Sequence, residues 1–153
     1  MKSDPVVTLP SDQDPCPCGR TMAGSKGRAR PLVFGACCGP LLKGEHTATD
    51  AEALMRSRYT AYVTGNTAYL RESWHPETCP QELVPDASLQ WLGLKVLWHK
   101  PVADDQAEVA FVARYRQQGR VARLEEQSRF VREQGRWLYH GAVDAKEGAG
   151  DDA

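Results

Sequence analysis

Four of the chain's five cysteines fall in one stretch, residues 16–38, which reads CPCGRTMAGSKGRARPLVFGACC. A Cys-x-Cys pair opens it and an adjacent Cys-Cys pair closes it. Thiolates gathered this densely suit a soft divalent cation, for which tetrahedral zinc is the usual choice. Such a site makes the stretch fold back until about four donors lie within roughly 2.3 Å of one ion. Cys16 and Cys18 can approach an ion together, with Pro17 stiffening the link. Cys37 can join them only through a sharp backbone turn, which Gly35 and Gly39 on either side make easier. The fourth position is open to Cys38 or to His46. Cys79, alone in a loop, reads as a bystander thiol.

The compartment bears on that reading. The first residues, MKSDPVVTLPSDQDP, carry prolines and acids where a signal peptide needs an apolar run. No apolar stretch approaches the length of a membrane span. The expectation is therefore a cytoplasmic protein with no membrane partner. Thiols stay reduced there, so clustered cysteines favour metal over disulfides. The formal net charge is −1, which leaves no global field to draw the chain to nucleic acid or to a lipid surface.

Residues 1–14 read as a disordered lead-in, 15–46 as the metal knot, 47–145 as a folded domain and 146–153 as a flexible tail. Within the knot, 19–36 reads as a mobile Gly/Arg loop. Helical spacing of Ala51, Leu54, Met55, Tyr59, Tyr62 and Val63 predicts a helix over 50–64. Thr49 would cap it, with Glu52 as reciprocal partner, and Gly65 would stop it. Asn66 would cap a second helix over 67–73. Four alternating stretches follow. In the first, Leu92, Leu94, Val96 and Trp98 would share a face, with Gly93 marking a bulge. Val109, Phe111, Ala113 and Tyr115 share a face of the second. The third spans 121–133. In the fourth, 136–143, Trp137, Tyr139 and Val143 would share a face. Turns fall at Asp104-Asp105, Gln118-Gly119 and Gln134-Gly135. Helices gathered before an antiparallel meander mean an α+β fold, with the amphipathic helix covering one sheet face. The knot and this domain are expected to be separate units, so that losing a ligand cysteine unfolds the first and spares the second.

Several of these segments resemble a known family. Cys-Pro-Cys-Gly followed by Cys-Cys resembles the SEC-C zinc motif. AEALMRSRYTAYV, YLRESWHP, WLGLKV, FVARYR and SRFVREQGRWLYH resemble the YchJ-type family of bacterial SEC-C proteins, over residues 15–144. The resemblance implies an N-terminal zinc knot joined to a cystatin-like cone, the fold of nuclear transport factor two. It also implies structural zinc held by Cys16, Cys18, Cys37 and Cys38. Two departures stand out. The spacer 19–36 is longer than the motif's usual one, and the tail KEGAGDDA lacks the second cysteine-rich copy found in many relatives. Lengthening a loop costs entropy only logarithmically, so ligation should survive.

The function readings differ in class. One is an adaptor or binding module whose knot engages a protein partner. Another is a small lyase- or isomerase-like enzyme with a pocket inside the cone. Candidate pocket residues are Arg56, Tyr59, Tyr62, Trp74, His75, Trp91, Phe111, Phe130 and Trp137. Among them His75 is the acid–base candidate, because an unperturbed imidazole titrates near neutrality. Arg56 or Arg58 is expected to turn inward and pair with Glu125 or Glu126. A third reading is weak nucleic-acid binding through Arg20, Lys26, Arg28 and Arg30 on the loop and the arginines of the later strands.

Overall fold

The computed structural model describes residues 9–83, 86 and 88–149. A small hairpin comes first, β1 (Thr21–Ala23) against β2 (Ala29–Pro31). A 3-10 turn at Phe34–Ala36 and a one-turn helix α1 (Gly39–Leu42) follow. Two helices come next, α2 (Ala51–Thr64) and α3 (Thr67–Glu72). The rest is a meander of four long strands: β3 (Gln90–Ala103), β4 (Gln106–Gln117), β5 (Arg120–Glu133) and β6 (Arg136–Ala149). Their order in the sheet is β3-β4-β5-β6 and every pairing is antiparallel. The expected α+β class is what the chain adopts.

Local chemistry explains the boundaries. Asp50, not Thr49, caps α2: its carboxylate accepts from the Ala53 N–H at 2.7 Å. Glu52 instead pairs with Arg56 one turn on. Gly65 ends the helix in the left-handed region at φ 74°, and the Asn66 side chain caps α3. The Gln118-Gly119 and Gln134-Gly135 turns both have two consecutive positive φ values. That is the tight-hairpin geometry whose twist matches the strands.

The core lies between α2 and the inner sheet face. Leu54, Met55 and Tyr59 pack on Val109, Phe111, Ala113 and Phe130, all buried. Two face assignments from the simple alternation are corrected. Register shifts in β3 between Trp91 and Gly93, and between Val96 and Trp98, turn Leu92 and Trp98 outward while Leu94 and Val96 stay on the core. In β6, two shifts against β5 rotate the ladder after Tyr139, so Val143 is 46% exposed while Trp137 and Tyr139 pack inward. The bulges of β3 and its Pro101 also blunt a free sheet edge. At the other edge, residues 73–75 dock in parallel on β6, with Tyr139 N–H to Ser73 O and His75 N–H to Tyr139 O, both 2.8 Å.

The termini differ from expectation as well. Residues 9–14 are structured up to the knot: Phe34 N–H bonds Asp14 O, and Asp12 pairs with Lys43 at 2.9 Å. The ladder of β6 runs to Ala149, into the segment expected to be tail. Residues 1–8 and 150–153, the remainder of the expected lead-in and tail, lie outside the described residues. Among the described residues no helix is long and apolar enough to cross a membrane.

Candidate functional site

The chain reverses twice to bring the cysteines together. Cys16 sits just inside an antiparallel bridge between Pro15 and Val33, and its N–H bonds Leu32 O at 2.9 Å. Gly19, at φ 75°, then turns the chain away into the hairpin. The expected mobile loop is thus a closed β-ribbon, and it returns at Phe34, which is wholly buried. At Cys37 the backbone swings into α1, whose first residue is Gly39. A side chain there would place its Cβ 2.7 Å from the Phe34 carbonyl oxygen. Glycine at this position reflects close approach, not unusual dihedrals.

The result is a four-sulfur cluster. The Sγ atoms of Cys16, Cys18, Cys37 and Cys38 all lie within 4.8 Å of one another, with Cys18–Cys37 at 3.5 Å and Cys37–Cys38 at 4.0 Å. A tetrahedron of sulfurs around zinc has edges of roughly 3.8 Å, so the cluster has the dimensions of a metal site. Cys16, Cys18 and Cys38 are 4%, 0% and 1% exposed; Cys37 is half-buried. His46, the alternative fourth donor, is exposed and stands outside the group.

Helix α2 supports the cluster from beneath. Thr60 places its hydroxyl 3.9 Å from the Cys16 sulfur. Arg56 donates from Nε to Glu52 at 2.8 Å and from Nη1 to the Cys18 carbonyl at 3.1 Å. Arg56 therefore serves the knot and does not line the cone. Electrostatics inside the cluster are in conflict without a cation. Hydrogen bonds from Cys18, then Cys37 and Cys38, hold the Cys16 thiol far below the usual thiol range. Contacts with Cys16 first, then Cys18 and Cys37, together with burial, push Cys38 up. One thiolate keeps its neighbours protonated, and a central divalent ion removes that conflict.

A second feature is the cavity of about 210 Å³ between α2 and the sheet. It brings together Tyr59, Tyr62, Trp74, Trp91 and Phe111 from the expected pocket set. It adds Met55, Arg58, Ala113, Leu124, Glu126 and Tyr139. Phe130 is instead solid core, and Trp137 faces a separate cleft beside Leu41 and Tyr69. Arg58 does turn inward, at 3% exposure, but its bonds go to Leu70 O (2.9 Å) and Ser73 Oγ (2.7 Å), not to Glu125 or Glu126. Burial pushes its pKa down and that of Tyr59 up to about 12. Arg58 was findable from the pattern, because it is spaced from Leu54, Met55 and Tyr62 as one helix face requires.

His75 lies elsewhere. Its Nδ1 accepts from the Glu77 N–H at 3.1 Å, so Nε2 carries the proton that is donated to Glu133 at 2.6 Å. The ring packs 5.5 Å from that of His140. This links the loop after α3 to the β5–β6 hairpin, and His75 does not line the cavity. Cys79 contacts Arg71 at 3.8 Å, far from the sulfur cluster.

Residues 50–142 match the family described as the middle, NTF2-like domain of YchJ. A UPF0225 protein of Polaromonas naphthalenivorans is 52% identical over 127 residues, covering 82% of this chain and 93% of that protein. The chain belongs to the YchJ-type family. A UPF0225 protein of Ralstonia nicotianae is 48% identical over 146 residues, covering 88% and 94%. The YchJ-type fold is also similar to two solved SEC-C motif proteins. The crystal structure from Psychrobacter arcticus has a TM-score of 0.70 at 25% identity, covering 84% of this chain and 81% of that one. The solution structure of RPA3114 from Rhodopseudomonas palustris has a TM-score of 0.69 at 30% identity, covering 90% and 99%. The match through residue 142 spans both helices and most of the sheet, and the SEC-C likeness accounts for the cysteine cluster in front of them.

Proposed function

We propose that this YchJ-type protein is a cytoplasmic binding module whose four cysteines hold one structural zinc ion. The observation that carries the reading is the closed donor set: four converging sulfurs, three of them buried, leave no position for the water or substrate that a catalytic zinc keeps. Sulfur donors at tetrahedral spacing favour zinc over the oxygen-seeking cations. The test is elemental analysis after reconstitution under reducing conditions. One equivalent of zinc is expected, and a content far below one overturns the assignment.

The ribbon β1–β2 is the surface this module offers a partner. Every residue of both strands is exposed. The segment 19–36 carries Arg20, Lys26, Arg28 and Arg30 and no acid, with Met22 exposed among them. A cationic ribbon bearing one flexible apolar side chain fits an acidic protein segment. The separation of His75 from the cavity favours binding over acid–base catalysis. Capture from cell extract with the full chain distinguishes the occupants. Recovery of one protein that is lost with Arg28→Glu/Arg30→Glu is the expected result. Recovery of RNA alone assigns the ribbon to nucleic acid instead.

A further inference from the structure

The cone cavity holds a cation and an anion that are not bonded to each other. Arg58 commits Nη1 to Leu70 O and Ser73 Oγ. Its guanidinium carbon lies 4.8 Å from the Trp74 ring centre and 4.4 Å from that of Tyr139, with the Tyr62 hydroxyl beside it. Among the described residues Arg58 forms no direct ion pair. Glu126 accepts from Ser128 Oγ and from Tyr139 Oη, both at Oε2, which leaves Oε1 without a partner among the described residues. The indole N–H of Trp74 is buried and lacks an acceptor among the described residues. A buried polar group left in this state asks for an explanation, since it carries the full cost of leaving water.

One kind of molecule suits all three. An acceptor is needed by Trp74 and complements the charge of Arg58, and a donor complements Glu126. A lone carboxylate would leave the cavity with excess negative charge, and a lone amine with excess positive charge; a zwitterion leaves it balanced. The remaining lining, Met55, Tyr59, Trp91, Phe111, Ala113 and Leu124, is apolar apart from the Tyr59 hydroxyl. At about 210 Å³ the space is below the range of drug-sized pockets and suits a single small metabolite. We propose that the cone binds an apolar α-amino acid, its carboxylate on Arg58 and its ammonium on Glu126, with the side chain against Trp91 and Phe111. This site is independent of the zinc knot and of the cationic ribbon.

The test uses the full chain, purified under reducing conditions with zinc present. L-phenylalanine and L-leucine are titrated while the indole N–H signals of Trp74, Trp91 and Trp137 are followed by NMR. Saturable shifts are expected at Trp74 and Trp91, with Trp137, outside the cavity, as the control. Hydrocinnamate lacks the ammonium and phenylalaninamide lacks the carboxylate; each should bind about tenfold or more weakly, the value of one charged hydrogen bond. Glu126→Gln should cost L-phenylalanine a similar factor. Ala113→Leu, which fills the space without touching either charge, should abolish the shifts; circular dichroism confirms that each variant is folded. The proposal is overturned if neither amino acid shifts Trp74 or Trp91 up to its solubility limit. It is equally overturned if hydrocinnamate binds as well as L-phenylalanine, or if folded Ala113→Leu responds like the parent.

Discussion

Replacing Cys18 with serine tests how far the knot and the cone depend on each other. Cys18 is fully buried, its sulfur is 3.5 Å from Cys37, and its carbonyl is held by Arg56 of α2. Two separable units would lose only the knot. The packing argues otherwise, because Cys16, Cys18, Phe34 and Cys38 share one continuous buried cluster with Leu54, Met55, Tyr59 and the inner face of the sheet. Opening the knot strips Phe34 and Leu42 from that cluster. Full burial of a large apolar side chain is worth about 1.5–3 kcal/mol, so buried Phe34 with half-buried Leu42 amounts to about 2–4.5 kcal/mol. Total stabilities run to about 5–15 kcal/mol, so this is a large share. At about 2–4 °C per kcal/mol for a chain of this size, Tm should fall by about 4–18 °C. Thermal unfolding is followed by far-ultraviolet circular dichroism, which reports the sheet, and by tryptophan fluorescence. One coincident, displaced transition is expected, and chelation of the parent protein should reproduce it. A sheet transition at the parental temperature, with only a small separate change at lower temperature, would refute the shared core.

Four further outcomes follow from the geometry. Gly39→Ala sets a methyl 2.7 Å from the Phe34 carbonyl and should destabilise the protein by about 1–3 kcal/mol, seen as a lower Tm; an unchanged Tm would mean the Phe34 carbonyl can move aside. Arg56→Met removes the bond to the Cys18 carbonyl, worth about 1.5–3 kcal/mol as a charged hydrogen bond, and should speed transfer of the proposed zinc ion to a chelator. Burial raises the pKa of Tyr59 from 10.0 to about 12, and those of Tyr62, Tyr69 and Tyr139 are raised too. The folded state therefore holds these protons longer than the unfolded chain. Stability from the neutral phenols is complete below pH 10 and is lost between pH 10 and about 12. Tyrosinate absorbance should rise together with loss of the fold in that window; ionisation near pH 10 with the fold intact would contradict the burial argument. His75→Ala should loosen the loop after α3 and leave amino-acid binding in the cone unchanged, since His75 bonds Glu133 outside the cavity.

What could be read from the chain followed the range of the interaction. Caps and turns are local, so Gly65, Asn66 and the Gln-Gly turns were legible, and the Thr49 cap missed only because Asp50 next to it competes for the same role. Alternation located the strands but not their faces after a bulge. Gly93 signalled the first shift of β3, whereas nothing marks the shifts that expose Trp98 and Val143. The four cysteines announced themselves, yet the partnership of Arg56 with the Cys18 carbonyl joins residues 38 positions apart and has no sequence signature. Arg58 and Glu126 illustrate the same point in the cone. The sequence suggests an ion pair between them, because opposite charges attract and sequence alone carries no distances.

The connectivity of the cysteine cluster also bears on how the chain assembles during synthesis. All four sulfurs precede α2, so they can leave the ribosome and capture an ion before any part of the sheet has been made. Each strand of the meander then pairs with the one made just before it, which needs only short loop closures. The long-range step is the seating of α2 on a knot already closed, through Thr60 and Arg56. Metal supply at the moment of translation, more than metal affinity of the finished protein, would then set the yield of correctly folded chains.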